Sequence, residues 1–497
     1  MTLQLHNTLT RTVEPFTPLD EGKVTLYTCG PTVYDFPTVG NWSSYIYWDT
    51  LVRTLRANGY TVERVMNLTD VGHLVSDADE GEDKLEKGAR REGKTAWEVA
   101  AYYTADFLKG MQKLKLIHPD HITKATEYIP QQLSLIETLK EKGYTYQTKD
   151  GIYFDTSKFP SYADFAHLDL DAQQVGARVE ENVEKRQPWD FALWKFTPAG
   201  EVRDMEWETP AELLELPPDE SSPIMGFPGW HLECSAMAMD ILGPTIDIHT
   251  GGIDHIPVHH TNEIAQSEAA TGQLFARYWL HNNHLKINGG KISKSLGNGY
   301  TLADIEAKGF SALDLRMFVL QGQYTSEGNF TFENLEAAAN RLANWRDYAA
   351  LRHQTHDRLS QDNDKNDSSE YISLLATSGV IREAINENLN TPKALSHIDE
   401  AFSRLDNRPL DEIHRHGLME TLQTIDELLG IDLLGTTPDI TDDQKRLVLE
   451  RMRAREQKDW QRSDELRDQL AREGVRVRDT PKGTIWSYLQ RDDTELA

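Results

Sequence analysis

Apolar positions recur in two rhythms along the chain, and the change between them separates its parts. Up to about residue 330, short apolar runs alternate with helical stretches. Lys23–Tyr27 (KVTLY) reads as a buried strand, Ser43–Ala57 as an amphipathic helix and Thr61–Leu68 (TVERVMNL) as a second strand. Strand, helix, strand at that spacing predicts a right-handed βαβ unit with a parallel pair. The turn Cys29-Gly30-Pro31-Thr32 follows the first strand, and Gly40-Asn41 precedes the helix. Backbone N–H groups are unpaired at a helix start, so a phosphate would sit there. The charged run Ser76–Lys94 reads as a solvated loop and helix face that becomes helical to about Leu114. From about His118 to Glu220 the pattern is mixed. It holds a short strand, GIYFD, and a Pro- and Glu-rich passage, ETPAELLELPPDESSP, that looks like a linker or surface excursion. This predicts an insertion between two halves of a sheet. After Gly226 the βα rhythm returns, with GWHLECSAMAMDIL as helix, TIDIHTGG as strand and turn, and TNEIAQSEAATG as helix.

Past about Phe332 the period becomes that of long amphipathic helices, broken by the polar run SQDNDKNDSSE, and the segment ends in helices and a hairpin, VRVRD-TPKG-TIWSYL. The expected fold class is therefore α/β. A Rossmann-type parallel-sheet catalytic domain with an insertion is followed by an α-helical bundle and a small mixed C-terminal domain. Its boundaries fall at about 1–330 (halves about 18–115 and 226–300, insertion about 116–225, lysine-loop region about 285–330), 331–435 and 436–497.

Composition narrows the function. A formal net charge of -28 over 497 residues argues against broad nucleic-acid binding, so any RNA site must be a local basic patch, and Lys and Arg are dense only in the last segment. The start lacks the features of a signal peptide and no apolar run reaches the ~18 residues of a membrane span. Two cysteines cannot form a disulfide framework and suit a reducing compartment, so the expected location is the cytoplasm, with no membrane partner.

Those two cysteines carry the chemistry. His259 and Glu263 are four residues apart, so both side chains project from one helix face. Such a pair alone is more often a surface hydrogen bond. Cys29 ends the first strand and Cys234 lies on the GWHLECSAM helix of the same sheet framework. Two thiolates, an imidazole and a carboxylate form a tetrahedral zinc set. Ligands scattered over more than two hundred residues, converging at strand carboxyl ends, place the ion where substrates bind in an open α/β sheet. The second constellation is Lys291-Ile292-Ser293-Lys294-Ser295, a lysine loop flanked by Gly289-Gly290 and Gly297. Flexible lysines there can follow a phosphate whose charge rises in a transition state, opposite the helix start.

Lys291–Ser295 closely resembles the KMSKS loop of class I aminoacyl-tRNA synthetases. Cys29–Asp35 (CGPTVYD), Gly229–Ser235 (GWHLECS) and His259–Glu263 (HHTNE) resemble the cysteinyl family specifically, and the resemblance runs over nearly the whole chain. It implies one zinc per chain, held by Cys29, Cys234, His259 and Glu263, which binds the substrate thiolate. It further implies Trp230, His249 and Thr69 at the amino-acid pocket, Gly40, Gly251, Gly252, Asp254 and Lys294 at ATP, and Thr38, Asn41, Lys291 and Lys294 as the catalytic set with Mg²⁺. The partners so implied are L-cysteine, ATP and tRNA(Cys), with the basic C-terminal segment reading the anticodon and Trp486 offered for base stacking, in a monomer. The reading of Trp486 as a core aromatic of a small domain is slightly favoured over that stacking role. Thr38 stands where the family usually has the first histidine of His-Ile-Gly-Asn, and Gly72-His73, Thr250 and Asn282-Asn283-His284 depart as well. Three other readings compete: an inactive tRNA- or zinc-binding paralogue, a cysteine ligase with a small-molecule acceptor, and a nucleotidyltransferase using the Thr-x-Gly element. The intact donor set, the long C-terminal half and the paired cysteines count against them in turn.

Overall fold

The computed structural model describes residues 2–72, 85, 88–89, 93–168, 184–198, 200–215, 223–292, 297–354, 369–406, 409–410, 413–480 and 483–489. The chain divides into two compact units, one holding residues 4–304 and 324–329, the other residues 305–323 and 330 onward.

In the first unit the elements run β1 (Gln4–Asn7), β2 (Thr12–Pro15), β3 (Lys23–Thr28), α1 (Val39–Ala57), β4 (Thr61–Leu68), α2 (Ala96–Lys113), β5 (His121–Lys124) and α3 (Ile129–Glu141). They continue with β6 (Thr145–Thr148), β7 (Gly151–Phe154), β8 (Phe191–Phe196), β9 (Trp207–Glu208), β10 (Met225–Pro228), α4 (Trp230–Leu242), β11 (Ile246–Gly252), α5 (Thr261–Thr271) and β12 (Ala276–Asn282). Five strands form a parallel sheet in the order β12-β11-β3-β4-β5. Its central strands are buried over most of their length, with Val24, Leu26, Tyr27, Val62, Val65, Met66 and Leu68 all in the core, in keeping with a sheet covered on both faces. The register sets Tyr27 beside His249 and Gly251 beside His281, so every carboxyl end opens on one edge. A cavity of about 340 Å³ at the amino ends of the same strands, lined by Lys23, Thr61, Asp120 and Asp247 among others, lies away from all the predicted site residues.

The α/β expectation holds. The helix predicted from Ser43 begins earlier, at Val39, with Thr38 as its N-cap. A second, antiparallel five-stranded sheet, β6-β7-β8-β10-β9, occupies the stretch read as an insertion, while His121–Lys124 joins the parallel sheet instead. The Pro- and Glu-rich passage is not simply a linker. Leu213 and Leu214 are buried against the Trp194 core, with residues 216–222 outside the described part. Two leucines inside a polar run are too few for periodicity to flag.

Two glycines set the packing around the site. A Cβ at Gly110 of α2 would collide with the Trp42 indole of α1, and a Cβ at Gly229 would collide with the Ala192 carbonyl of β8. Glycine lets Trp42 stack on Phe107 at 5.2 Å and lets the start of α4 press onto the antiparallel sheet.

The second unit carries α6 (Ala312–Leu320), α7 (Phe332–Ala350), α8 (Ser369–Asn386), α9 (Thr391–Leu405), α10 (Arg415–Leu429), α11 (Asp442–Glu456) and α12 (Trp460–Arg472). It ends in the antiparallel hairpin β13 (Val475–Thr480) and β14 (Gly483–Tyr488). α11 stops at Glu456, and a break separates it from α12. Lys458 takes a positive φ of 63°, and Asp459 caps the next helix by accepting from Arg462 N–H. No helix among the described residues is long and apolar enough to cross a membrane.

Candidate active site at the carboxyl ends of the parallel strands

Cys29 follows β3, Cys234 sits one turn into α4, His259 lies in the turn Ile256–His260 before α5, and Glu263 opens α5. All four are buried, and one donor atom from each lies within 4.8 Å of the others. The spacing that put His259 and Glu263 on one face holds, with Nε2 2.9 Å from Oε1. Buried hydrogen bonds fix α4 against α5, because Gln266 Nε2 donates to the His231 carbonyl and to Ser235 Oγ, both at 2.6 Å, and Ser267 meets Ser235 at 2.8 Å. Gly30 allows the Cys29 turn to lie against strand β4, where a Cβ would overlap the Asn67 carbonyl, and its N–H donates to Asn67 Oδ1 at 2.8 Å.

The electrostatics of this cage fit a cation. Burial raises Glu263, but His249 and His259 outweigh it and hold the carboxyl down at about 2. Burial likewise pulls His259 down, yet Glu263 and Cys234 lift it to about 10. The Cys29 thiol is driven up by burial and by Cys234, while Cys234 is lowered by its hydrogen bond with Cys29. Two thiols, an imidazole and a carboxylate, all out of water, are the donor set of a zinc site, and a dication there would compensate the buried negative charge.

The remaining predicted residues fall around the cage. Thr69 Oγ1 donates to Glu233 Oε2 at 3.1 Å, and Trp230 stacks on the His259 ring at 4.3 Å. His249 lies against Glu263, Nε2 to Oε2 2.9 Å, with its ring stacked on Trp279 at 4.5 Å. Gly251 and Gly252 end β11, and Asp254 follows them in a short turn. A Cβ at Gly251 would lie 2.6 Å from His260 Cε1, so the histidine ring needs that glycine.

Thr38, Gly40 and Asn41 form the start of α1. Residues on either side of 293–296 lie against it: Val39 N–H donates to the Tyr300 carbonyl at 2.8 Å, and a Cβ on Gly40 would be 2.6 Å from Ile292 Cδ1. Lys291 is exposed, and its carbonyl accepts from Asn298 Nδ2 at 3.1 Å. Lys294, with Ser293 and Ser295, lies outside the described residues, as does His73.

Several residues around the cage escaped sequence reasoning. His260 Nε2 is 3.4 Å from Cys29 Sγ, its Nδ1 is 2.7 Å from His281 Nε2, and His281 Nδ1 is 2.7 Å from Thr8 Oγ1. His231 Nδ1 faces His259 Nδ1 at 3.0 Å. Burial pushes both His260 and His281 well below the ordinary imidazole range. The available signal was the crowding of histidines at 255, 259 and 260 beside strand ends bearing His249 and His281.

In the second unit Trp486 is a core residue. It is 6% exposed, packs with Val448, Leu470 and Val477, and exchanges backbone hydrogen bonds with the Gln354 side chain at 2.8 Å. The reading of Trp486 as a core aromatic therefore holds, and the stacking role implied by the resemblance is corrected. Trp460 is 55% exposed, with the Arg455 guanidinium 5.5 Å from its ring.

Comparison with known proteins shows the family of the chain. A Treponema denticola cysteine--tRNA ligase is 40% identical over 517 residues, covering 98% of this chain and 100% of its own. A Burkholderia lata cysteine--tRNA ligase 1 is 42% identical over 488 residues, covering 97% and 96%. Among solved structures, Mycobacterium tuberculosis methionyl-tRNA synthetase in complex with methionyl-adenylate superposes with a TM-score of 0.56 at 15% identity, covering 84% of this chain and 92% of its own. That likeness shows the fold alone. Residues 15–340 match the tRNA synthetases class I (C) catalytic domain and residues 437–486 the cysteinyl-tRNA ligase anticodon binding domain, and with them the chain belongs to the cysteine--tRNA ligase family of class I aminoacyl-tRNA synthetases.

Proposed function

We propose that this ligase activates L-cysteine with ATP to cysteinyl-adenylate and transfers it to the 3′-terminal ribose of tRNA(Cys), with one zinc ion held by Cys29, Cys234, His259 and Glu263. The observation that carries the reading is the placement of a buried soft-donor cage at the carboxyl ends of one parallel sheet, with the start of α1 lying against Ile292, the residue next to Lys291. When bound, zinc supplies affinity for a thiolate that serine's hydroxyl does not match, so selection needs no editing. Trp230 and Thr69 bound the amino-acid pocket, and the stack on Trp279 fixes His249 against Glu263.

ATP enters as its Mg²⁺ complex. Gly40, Gly251, Gly252 and Asp254 admit the adenosine and phosphates closely, and Thr38, Asn41, Lys291 and Lys294 stabilise charge on them. The cysteine carboxylate attacks the α-phosphorus and the bond to pyrophosphate breaks. A ribose hydroxyl then attacks the adenylate carbonyl and releases AMP. Neither step requires a protein nucleophile, so positioning and charge stabilisation supply the rate. Residues 331–435 serve as the bundle and 436–497 as the anticodon domain, where Trp460 offers the exposed ring for stacking. Both cysteines are buried free thiols, in keeping with a reducing cytoplasm.

The test is cysteine-dependent ATP–pyrophosphate exchange, with serine and alanine as competitors and Cys29→Ala as the variant. Exchange with cysteine alone, lost in Cys29→Ala, supports the reading. Absence of exchange in folded, zinc-loaded wild type would replace it with the inactive-paralogue reading that Thr38 permits.

A further inference from the structure

A second donor set shares two members with the first. Cys29, His249, His260 and Glu263 are all buried, and one donor atom from each lies within 4.8 Å of the others. His260 Nε2 is 3.4 Å from Cys29 Sγ and 3.9 Å from Glu263 Oε1, and His249 Nε2 is 2.9 Å from Glu263 Oε2. The two sets cannot be filled together, because Cys29 and Glu263 belong to both.

Of the two histidines, His260 is held as metal-binding histidines are held, while His249 is fixed by ring stacking alone, its Nδ1 buried without a hydrogen-bond partner. Nδ1 of His260 is anchored to His281, and His281 to Thr8, which turns Nε2 of His260 toward the cage. The His249 ring is clamped flat on Trp279, and its Nε2 reaches the far carboxylate oxygen of Glu263. Charge separates the positions. With Cys234 and His259 the cage offers three anionic donors to a dication and keeps a net negative charge. With His249 and His260 it offers two and is neutral, which a site without water favours. The first position has in its favour a second soft thiolate.

We infer that the cage holds its cation at either of two overlapping positions, the second bounded by Cys29, His249, His260 and Glu263, so that the ion survives loss of Cys234 but not loss of Cys29. This rests on the reading that the cage binds a cation at all, and the experiment keeps the two apart.

The full chain is purified, stripped and reloaded with Zn²⁺ or Co²⁺, and metal content is measured together with the visible Co²⁺ spectrum. Wild type and His260→Gln should each hold about one ion with a two-thiolate charge-transfer band. Cys234→Ala should retain about one ion with the weaker band of a single thiolate. Adding His260→Gln or His249→Asn to Cys234→Ala should weaken retention by roughly a hundredfold, and Cys29→Ala should be empty. A Cys234→Ala protein as empty as Cys29→Ala, or double variants that retain as much as Cys234→Ala, would overturn the second position. An empty wild type would overturn the cation reading itself. Near-UV circular dichroism of the single variants, each carrying one half of the double change, shows whether a loss of metal is a loss of fold.

Discussion

Asn41 Oδ1 accepts hydrogen bonds from both the backbone N–H and the hydroxyl of Thr38, each at 2.9 Å. Two residues that the sequence suggested for phosphate chemistry thus cap their own helix. The Thr38 proton points inward to Asn41, so a phosphate at this helix start has to draw on donors that the cap already uses. An acceptor at the third helical position that reaches back to the N-cap stabilises a helix by about 1 kcal/mol, and an anionic acceptor does so slightly better because of the helix dipole.

Asn41→Asp separates the structural from the catalytic role. The carboxylate keeps both acceptor bonds, so the melting temperature should stay level or rise by a degree or so. The same charge repels phosphate, and two like charges near a protein surface cost a few kcal/mol at ~4 Å. KM for ATP in the exchange assay should therefore rise by about tenfold or more. An unchanged KM would mean that phosphate does not approach this helix start.

Gly40→Ala tests the contact between the helix start and the lysine loop. The added methyl would come 2.6 Å from Ile292 Cδ1, the mobile end of a flexible side chain, so the fold can give way cheaply. What moves is the loop segment next to Lys291. Thermal stability should change by less than about 1 kcal/mol while the rate of adenylate formation falls by roughly a hundredfold, since small misplacements of charge-stabilising groups carry costs of that size. Equal losses of stability and rate would show that Gly40 serves the helix alone.

The fold was far more legible than the cage. Thr61–Leu68 is a strand over the span read from the sequence, because Val62, Val65, Met66 and Leu68 follow the Gly59-Tyr60 turn closely enough to mark a buried strand locally. The helix break at Gln457–Asp459 was hidden, since no Gly or Pro marks it; the exposed Lys458 itself takes the positive φ of a helix-ending turn, closed by Asp459 N–H donating to the Ala454 carbonyl. The four expected cage residues were visible from donor chemistry and from a family resemblance. His260, His281 and Thr8 were not, since they meet only when β12, the turn before α5 and the loop after β1 are brought to one strand edge. The exposure of Trp460 was not legible for a similar reason. Burial of an aromatic depends on what packs over it, and a hairpin strand alternates between core and solvent faces.

Trp460→Ala should weaken tRNA binding without disturbing the second unit. Its ring is 55% exposed beside Arg455, in the segment that matches an anticodon-binding domain. Loss of one stacked base costs ~1–3 kcal/mol, so KM for tRNA in aminoacylation should rise by about tenfold, with pyrophosphate exchange unchanged. Trp486→Ala should instead lower stability first, because that ring fills the core under the hairpin.

The hairpin itself depends on Arg451 and Asp479. Arg451 is buried, and its two terminal nitrogens donate to the two carboxylate oxygens of Asp479 at 2.9 and 2.7 Å. These bonds, against the opposing effect of burial and with help from Thr484, hold Asp479 at about 2 rather than 3.8. The folded value is depressed, so the contribution is complete above the unfolded value and disappears as pH falls from about 4 through about 2. Solvent reaches Asp479, which limits that contribution to about 1 kcal/mol. Asp479→Asn removes the charge but leaves Arg451 buried with one good acceptor, and it should cost about 2 kcal/mol at pH 7. Hydrogen exchange of β13 and β14 is the measurement, because local opening of the hairpin reports the loss directly. Wild-type exchange should speed up as pH falls from about 4 to about 2, beyond the chemical trend. The Asp479→Asn protein should start fast and show no such step, and a step of equal size in both would assign the acid sensitivity to another carboxylate.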